Sequence, residues 1–442
     1  MNIPLDRLYH YIENIASEIY GSRIIIYRFF PHGSKNINDL NNLYELEDDW
    51  VKKAVSPALW CHDQEPLDYE FYKSSRQRAD TDFDKILKSN GLAIPPKNLN
   101  YQPSIFKKGF LLHSEKRSQE LEKYQQDDEL LPVYYWSHSI IARDWFRYAE
   151  HENFQKCTKN TFLIYNRAWS GTREYRLQFL NLLVERGLVE RCQTSCNPMD
   201  PELNIHYTDH KFINPQWQPT HVLENFFKPT TADSTSSGDF NTNDYNSTDI
   251  EVVLETLFDT NRLHLTEKSL RPIACSQPFI LAGAQGSLEY LRSYGFKTYS
   301  DVWDESYDQI EDSKKRLTAI VNLMGQIAQW DEPTKKHKLS HAQQIADQNR
   351  QWFFSQEFFN LIITELKTNL KSAVNELEVC NNYQWWINRW NHIMSCPEAF
   401  DYLKTNRTHT AATIETINFV MKIAQNKLDK KSKIPNSLNN IK

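Results

Sequence analysis

The chain has 442 residues, of which 40% are hydrophobic, 13% aromatic and 24% charged. At roughly 150 residues per domain this is room for two or three domains, and so much Trp, Tyr and Phe excludes disorder of the whole. With 51 basic against 57 acidic residues the formal charge is −6, which argues against binding nucleic acid over the entire surface but allows a local basic cleft.

In chain order, Leu5, Leu8, Tyr9, Ile12 and Ile15 recur at helical spacing, and SRIIIYRFF follows as a short buried strand. A second strand, Ala58 to Cys61, runs into His62, Asp63, Gln64 and Glu65 and stops at Pro66. GFLLHSEKRSQELEKY repeats the pattern, with a helix expected from a Ser114 cap, and so does VYYWSHSIIARDWFRYAEH. Strands alternating with helices predict an α/β fold with mostly parallel sheets and ligands beyond the carboxyl ends of the strands. The pattern restarts with TFLIYNRAWSGTREYRLQFLNLLVERGLVE, whose helix ends at Gly187. Residues 229–249, rich in Ser, Thr, Asn and Asp, are expected to be a mobile insertion. Ordered patterning returns with IEVVLETLF, and LTEKSLRPIACSQPFILAGAQGSLEYLRSYGF then parses as helix, strand, glycine turn and helix. Beyond residue 310 the pattern is helical and closes on a lysine-rich tail. The expected division is 1–155, 156–325 and 326–442.

Seven scattered cysteines suggest free thiols; Cys192 and Cys196 are close, but His206 and His210 follow at no zinc-finger spacing. No run approaches the ~20 apolar residues of a membrane helix. Asp6, Glu13 and Glu18 sit where a signal peptide is apolar, so a cytoplasmic protein without membrane insertion is expected.

Three polar clusters carry candidate chemistry. Thr266, Glu267 and Lys268 open a helix, where free N–H groups, the macrodipole and a lysine favour an anion and Glu267 can accept from sugar hydroxyls; the plain alternative is a capped helix with a wet Glu/Lys pair. Asn166, Arg167, Arg173 and Arg176 surround a strand-to-helix turn suited to a pyrophosphate, although it lacks G-x-G-x-x-G and Arg176 reads equally well as an exposed helix charge. His62, Asp63 and Glu65 at a strand end suit a general base, or simply mark the turn before Pro66. His113 and His138 stand at similar strand ends, where a lone histidine is more often structural. Signatures of P-loop ATPases, α/β-hydrolases, zincins and kinases are absent from the sequence.

FLIYNRAWSGTREYRLQFLNLLVERGL and LTEKSLRPIACSQPFILAGAQGSLEYLRSYGFKTYSDVWDESYD resemble the donor lobe of GT-B glycosyltransferases of phage and bacterial type, the second with the Thr-Glu-Lys of fucosyltransferase-like members. The likeness covers residues 160–310. It implies two Rossmann-like lobes facing a central cleft with additional C-terminal helices. The first lobe takes the acceptor, and the second binds a nucleotide sugar through Asn166, Arg167, Arg173, Thr266, Glu267, Lys268, Gly286 and Ser287. Asp301, Asp304 and Asp308 make no D-x-D motif, so a metal-independent transfer with no cofactor is implied, and direct attack by a base-activated hydroxyl makes inversion the expected outcome. Asp63 is the first choice of base, with His62 and Glu65 as alternatives. Two acceptor classes stay open: a hydroxymethylated base in DNA, held with help from Lys107, Lys108, Trp136, Trp145 and Trp169, or a glycan or small hydroxyl compound. A non-catalytic nucleic-acid- or glycan-binding module on such a shell is the alternative function.

Overall fold

A computed structural model describes residues 3–21, 24–28, 58–74, 109–128, 130–226 and 238–380. Helix α1 (Leu5–Tyr20) buries Leu8, Tyr9, Ile12, Ile15 and Ala16 along one stripe. It ends where Gly21, at φ 79°, donates its N–H to the Ser17 carbonyl. Strands β1 (Ile25–Arg28), β2 (Ala58–His62), β3 (Gly109–His113) and β4 (Leu130–Tyr134) form a parallel sheet in that order. Every residue of β3 is buried, which is why its sequence is an unbroken apolar run up to His113. Helices α2 (Glu120–Asp128) and α3 (Ser137–Trp145) also belong to this unit.

The helix expected at Ser114 starts later, at Glu120. The reason is local: Lys116 spends its backbone N–H and C=O on Leu263 in an isolated antiparallel bridge, so the intervening chain is extended.

The second unit contains β5 (Asn160–Asn166), α4 (Tyr175–Glu185), β6 (Cys192–Cys196), the hairpin β7 (Met199–Asp200) and β8 (Ile205–His206), α5 (Thr242–Ser247), β9 (Thr248–Leu254), α6 (Glu267–Ala274), β10 (Phe279–Ala282) and α7 (Ser287–Ser293). Its parallel sheet has the order β10-β9-β5-β6. The chain leaves β5 toward β6 and returns to β9 on the other side, so strand order reverses between β5 and β9. Ligand crevices form at such a reversal, beyond Asn166 and Leu254.

The expected mobile insertion is ordered where it is described. Residues 238–249 are ordered, because Asn241 caps α5 and Tyr245 buries its ring and donates its hydroxyl to Glu251 (2.7 Å). Residues 227–237 lie outside the described part.

The described chain is then helical up to residue 380, as expected for that stretch: α8 (Ser313–Ala328), α9 (Glu332–Phe354) and α10 (Gln356–Cys380). These helices are shared out between the two sheets. α8 packs on α4 and α9 on α6, whereas α10 crosses to β4 and α1 of the first unit. Arg143 on α3 secures that crossing by donating to the carbonyls of Phe353, Phe354 and Ser355 at the carboxyl end of α9. The lysine-rich tail lies outside the described residues.

The units meet along the carboxyl ends of β2 and β3. Glu115 accepts from Arg262 (2.5 and 2.7 Å), Arg117 donates to the Gln285 carbonyl, and the Trp136 indole donates to the Leu265 carbonyl (2.9 Å). Lys116 places its ammonium 4.7, 4.9 and 5.3 Å from the rings of Tyr134, Tyr290 and Tyr294, drawing residues of both units around one cation.

Candidate functional site

The exit of β2 places its four polar residues in different environments. His62 is buried, its Nδ1 3.0 Å from the Tyr124 hydroxyl, and burial pulls its pKa down to about 4. Asp63 is wholly buried and is the centre of a hydrogen-bond network: Oδ1 accepts from Tyr9 (2.9 Å), Oδ2 from Tyr135 (2.6 Å), and its carbonyl from Ser137 (2.5 Å). Burial raises its carboxyl to about 6, and the two tyrosine hydroxyls pull the other way. Both oxygens are thus engaged within the first unit, so the geometry turns Asp63 from first-choice base into a structural acceptor.

Glu65 differs from its neighbours in opening to solvent. Enough protein surrounds it to raise its carboxyl above the ordinary range. The charges it feels belong to the second unit: Lys268 and Arg173 lower its pKa, and Glu267 and Glu202 raise it. Of the three candidate bases, Glu65 is the one whose pKa the charges of the expected donor residues shift.

Across the seam, Thr266 caps α6 as expected, its hydroxyl oxygen accepting from the Lys268 N–H (3.3 Å). The expected anion cradle at this helix start, however, already has an internal anion. Buried Glu255, just beyond β9, accepts from the Thr266 N–H (3.1 Å), the Thr266 hydroxyl (2.7 Å) and the Ser269 hydroxyl (2.5 Å). What remains for a ligand is side-chain charge. Lys268, partly exposed, donates to Glu267 Oε1 (2.6 Å), and buried Glu267 turns Oε2 toward His138. Nothing in the sequence distinguishes Glu255 from an ordinary strand-end carboxylate.

The turn after β5 is held by a second buried carboxylate. Asp200 Oδ2 accepts from the N–H groups of Trp169 and Ser170 (both 2.9 Å), and Oδ1 from those of Glu202 (2.9 Å) and Leu203 (3.1 Å), so its pKa is depressed. This fuses the arginine turn to the β7–β8 hairpin. Arg167 and Arg173 both reach Glu202, the first at 3.9 Å. Arg176 is neither exposed nor available: buried, it donates to the carbonyls of Ala168 (2.6 Å), Leu254 (2.7 Å) and Glu255 (3.0 Å). Asn166 is buried at the strand reversal, and neither polar atom of its amide has a hydrogen-bond partner.

Gly286 adopts φ 81° beside the Arg117 guanidinium, and the buried Ser287 hydroxyl donates back to the Ala284 carbonyl (2.6 Å). Ser287 is therefore a turn residue whose hydroxyl is already engaged. Trp136 and Trp169 are fully buried, and the half-buried Trp145 lies against Gly238; their positions fit the core better than a clamp on a base. Lys107 and Lys108 lie outside the described residues.

His113 is buried, with burial pulling its pKa down to about 4, and its Nδ1 accepts from the Glu115 N–H. His138 and His264 meet edge to face at 5.1 Å. His264, Glu255, Glu202 and the Glu115–Arg262 pair belong to no motif the sequence displays. Among the described residues no group of His, Cys, Asp or Glu is arranged to hold a metal ion, and His210 is engaged by Glu174 (2.8 Å) rather than by Cys192 or Cys196. No described helix is long and apolar enough to cross a membrane. No protein-family model, curated protein or solved structure matches the chain.

Proposed function

We propose that the protein is a glycosyltransferase that moves a sugar from a nucleotide-sugar donor to a hydroxyl acceptor in the seam between its two α/β units, arranged as in a GT-B enzyme. The observation that carries this is the electrostatic setting of Glu65: a solvent-open carboxylate of the first unit lies in the field of Lys268, Arg173 and Glu267 of the second. A base in the field of a cationic cluster that could hold a diphosphate is the pairing such a transfer needs, which supports the reading.

In the proposed transfer, Glu65 takes the proton of the acceptor hydroxyl as its oxygen attacks the anomeric carbon and the bond to the diphosphate breaks. Direct attack of this kind inverts the anomeric configuration. Lys268, Arg173 and Arg167 neutralise the departing nucleoside diphosphate without a divalent ion. Glu267, held by Lys268, accepts from donor hydroxyls. The acceptor is either a hydroxymethylated base in DNA or a glycan or small hydroxyl compound. The core positions of Trp136 and Trp169 take away the aromatic support for the first. Steep salt dependence of DNA binding would restore it.

The test is incubation of the full chain with UDP-, GDP-, CMP- and ADP-sugars while following nucleotide release. Release from one donor class that is lost in E65Q supports the proposal. Absence of release and of donor binding across the panel, with acceptors of both classes present, overturns it.

A further inference from the structure

Arg167 and Arg173 flank one turn, and their side chains converge on the same carboxylate, Glu202, which stands between β7 and β8. Arg173 also donates from Nε to the Ser170 carbonyl (3.2 Å), which directs its fork toward the hairpin. Glu202 is not an incidental surface partner. The residue two positions before it, Asp200, is fully buried and accepts four backbone N–H groups, two from each side of the junction. The hairpin is thus tied to the turn it covers. Glu202 keeps 41% of its side chain exposed, so it lies over the arginines from the solvent side rather than beneath them.

A carboxylate on two guanidinium groups imitates a phosphoryl group in charge sign and in its paired acceptor oxygens. We infer that Glu202 is an internal stand-in for the anionic ligand of the arginine turn, held there by Asp200 and displaced when a diphosphate binds. The identity of that ligand rests on the proposed glycosyl transfer; the displacement itself does not. Two consequences follow. The ligand-free protein avoids two uncompensated arginines side by side, and the affinity of the site is set below what the arginines alone would give, because each anion competes with Glu202.

The experiment is calorimetric titration of the full chain with inorganic pyrophosphate in metal-free buffer, for wild type, E202Q, and E202Q combined with R173Q. Partly exposed ion pairs of this kind correspond to roughly a three- to tenfold gain in affinity for E202Q, and adding R173Q removes that gain. Thermal melting shows that each variant is folded, and E202A serves as a second replacement with the same expected direction. Pyrophosphate binding that is unchanged or weakened in both Glu202 variants overturns the inference, even if wild-type protein releases nucleotide from a donor sugar. Tighter binding in E202Q that R173Q reverses sustains it, even if no donor sugar is consumed.

Discussion

His138 on α3 and Glu267 on α6 face each other across the seam, Nδ1 to Oε2, at 3.4 Å, and both side chains are buried. The ring's Nε2 lies 2.9 Å from the Gln64 carbonyl, which can only accept, so that nitrogen carries the proton. Burial lowers the ring's pKa to about 3, so it is neutral and Nδ1 is a bare acceptor turned toward a carboxylate. The ring therefore gives Glu267 no hydrogen bond, and two acceptors stand face to face.

A glutamine at this position supplies the missing donor. E267Q can donate from its amide to His138 and still accept from Lys268, so we expect a melting temperature equal to or above that of wild type, with up to about 1 kcal/mol gained. Donor turnover is expected to fall by roughly a hundredfold or more, because a hydroxyl-binding charge is lost. A lower melting temperature contradicts the orientation of the pair; unchanged turnover contradicts the role of Glu267.

For Glu65, replacement by glutamine is expected to lower transfer by about 10²–10⁴-fold, the usual contribution of a general base. Its solvent-open side chain predicts little change in melting. Because the base must be ionised and the surrounding protein raises its pKa, the acid limb of the wild-type rate profile should lie above that of an ordinary carboxylate. Glu202 contributes to that rise, so E202Q should move the limb to lower pH, and a limb that moves upward would count against the arrangement.

Asp63 predicts a pH effect on stability rather than on catalysis. Its carboxyl is raised from 3.8 to about 6, so the folded chain holds this proton more tightly than the unfolded chain. The resulting stabilisation is fully present below about pH 4 and is lost as pH rises through about 6, amounting to about 3 kcal/mol. Urea unfolding of wild type and D63N over this range should show wild type losing stability relative to the variant as pH rises. Parallel curves would place the titration elsewhere.

Breaking the Glu115–Arg262 contact should separate cost from pairing. Glu115 is buried and Arg262 also donates to the Leu67 carbonyl (2.6 Å), so R262M strands a carboxylate and should cost about 3 kcal/mol in urea unfolding. The double variant E115Q/R262M, which leaves no buried charge, should be more stable than R262M alone. Equal or lower stability of the double variant would show that the contact matters by shape rather than by charge.

Much of the fold could be read from the chain because parallel strands buried on both faces are written as uninterrupted apolar runs, as in FLLH and TFLIYN, and α6 announces itself by Thr266. The candidate site was less legible. Side-chain identity at a strand end does not tell which of two neighbours points inward: Asp63 enters a cage of tyrosines that come from α1 and the end of β4, whereas Glu65, two residues on, is open to solvent. Nor does periodicity reveal an internal counter-anion. Glu255 occupies the start of α6 and Glu202 covers the arginine turn, and each comes from a separate part of the chain. Residues 238–249 look solvated by composition, but one buried tyrosine and one asparagine cap are enough to order them.

The route of α10 has a bearing on biosynthesis. Phe358, Phe359, Ile362, Leu366 and Leu370 are buried on a helix that packs against β4 and α1, the latter made from the first residues of the chain. The N-terminal sheet therefore emerges from the ribosome long before its covering helix does. Until residue 356 and its successors have cleared the exit tunnel, the nascent chain carries an uncovered apolar face, so the first unit can lock into its native state only after the second has been made.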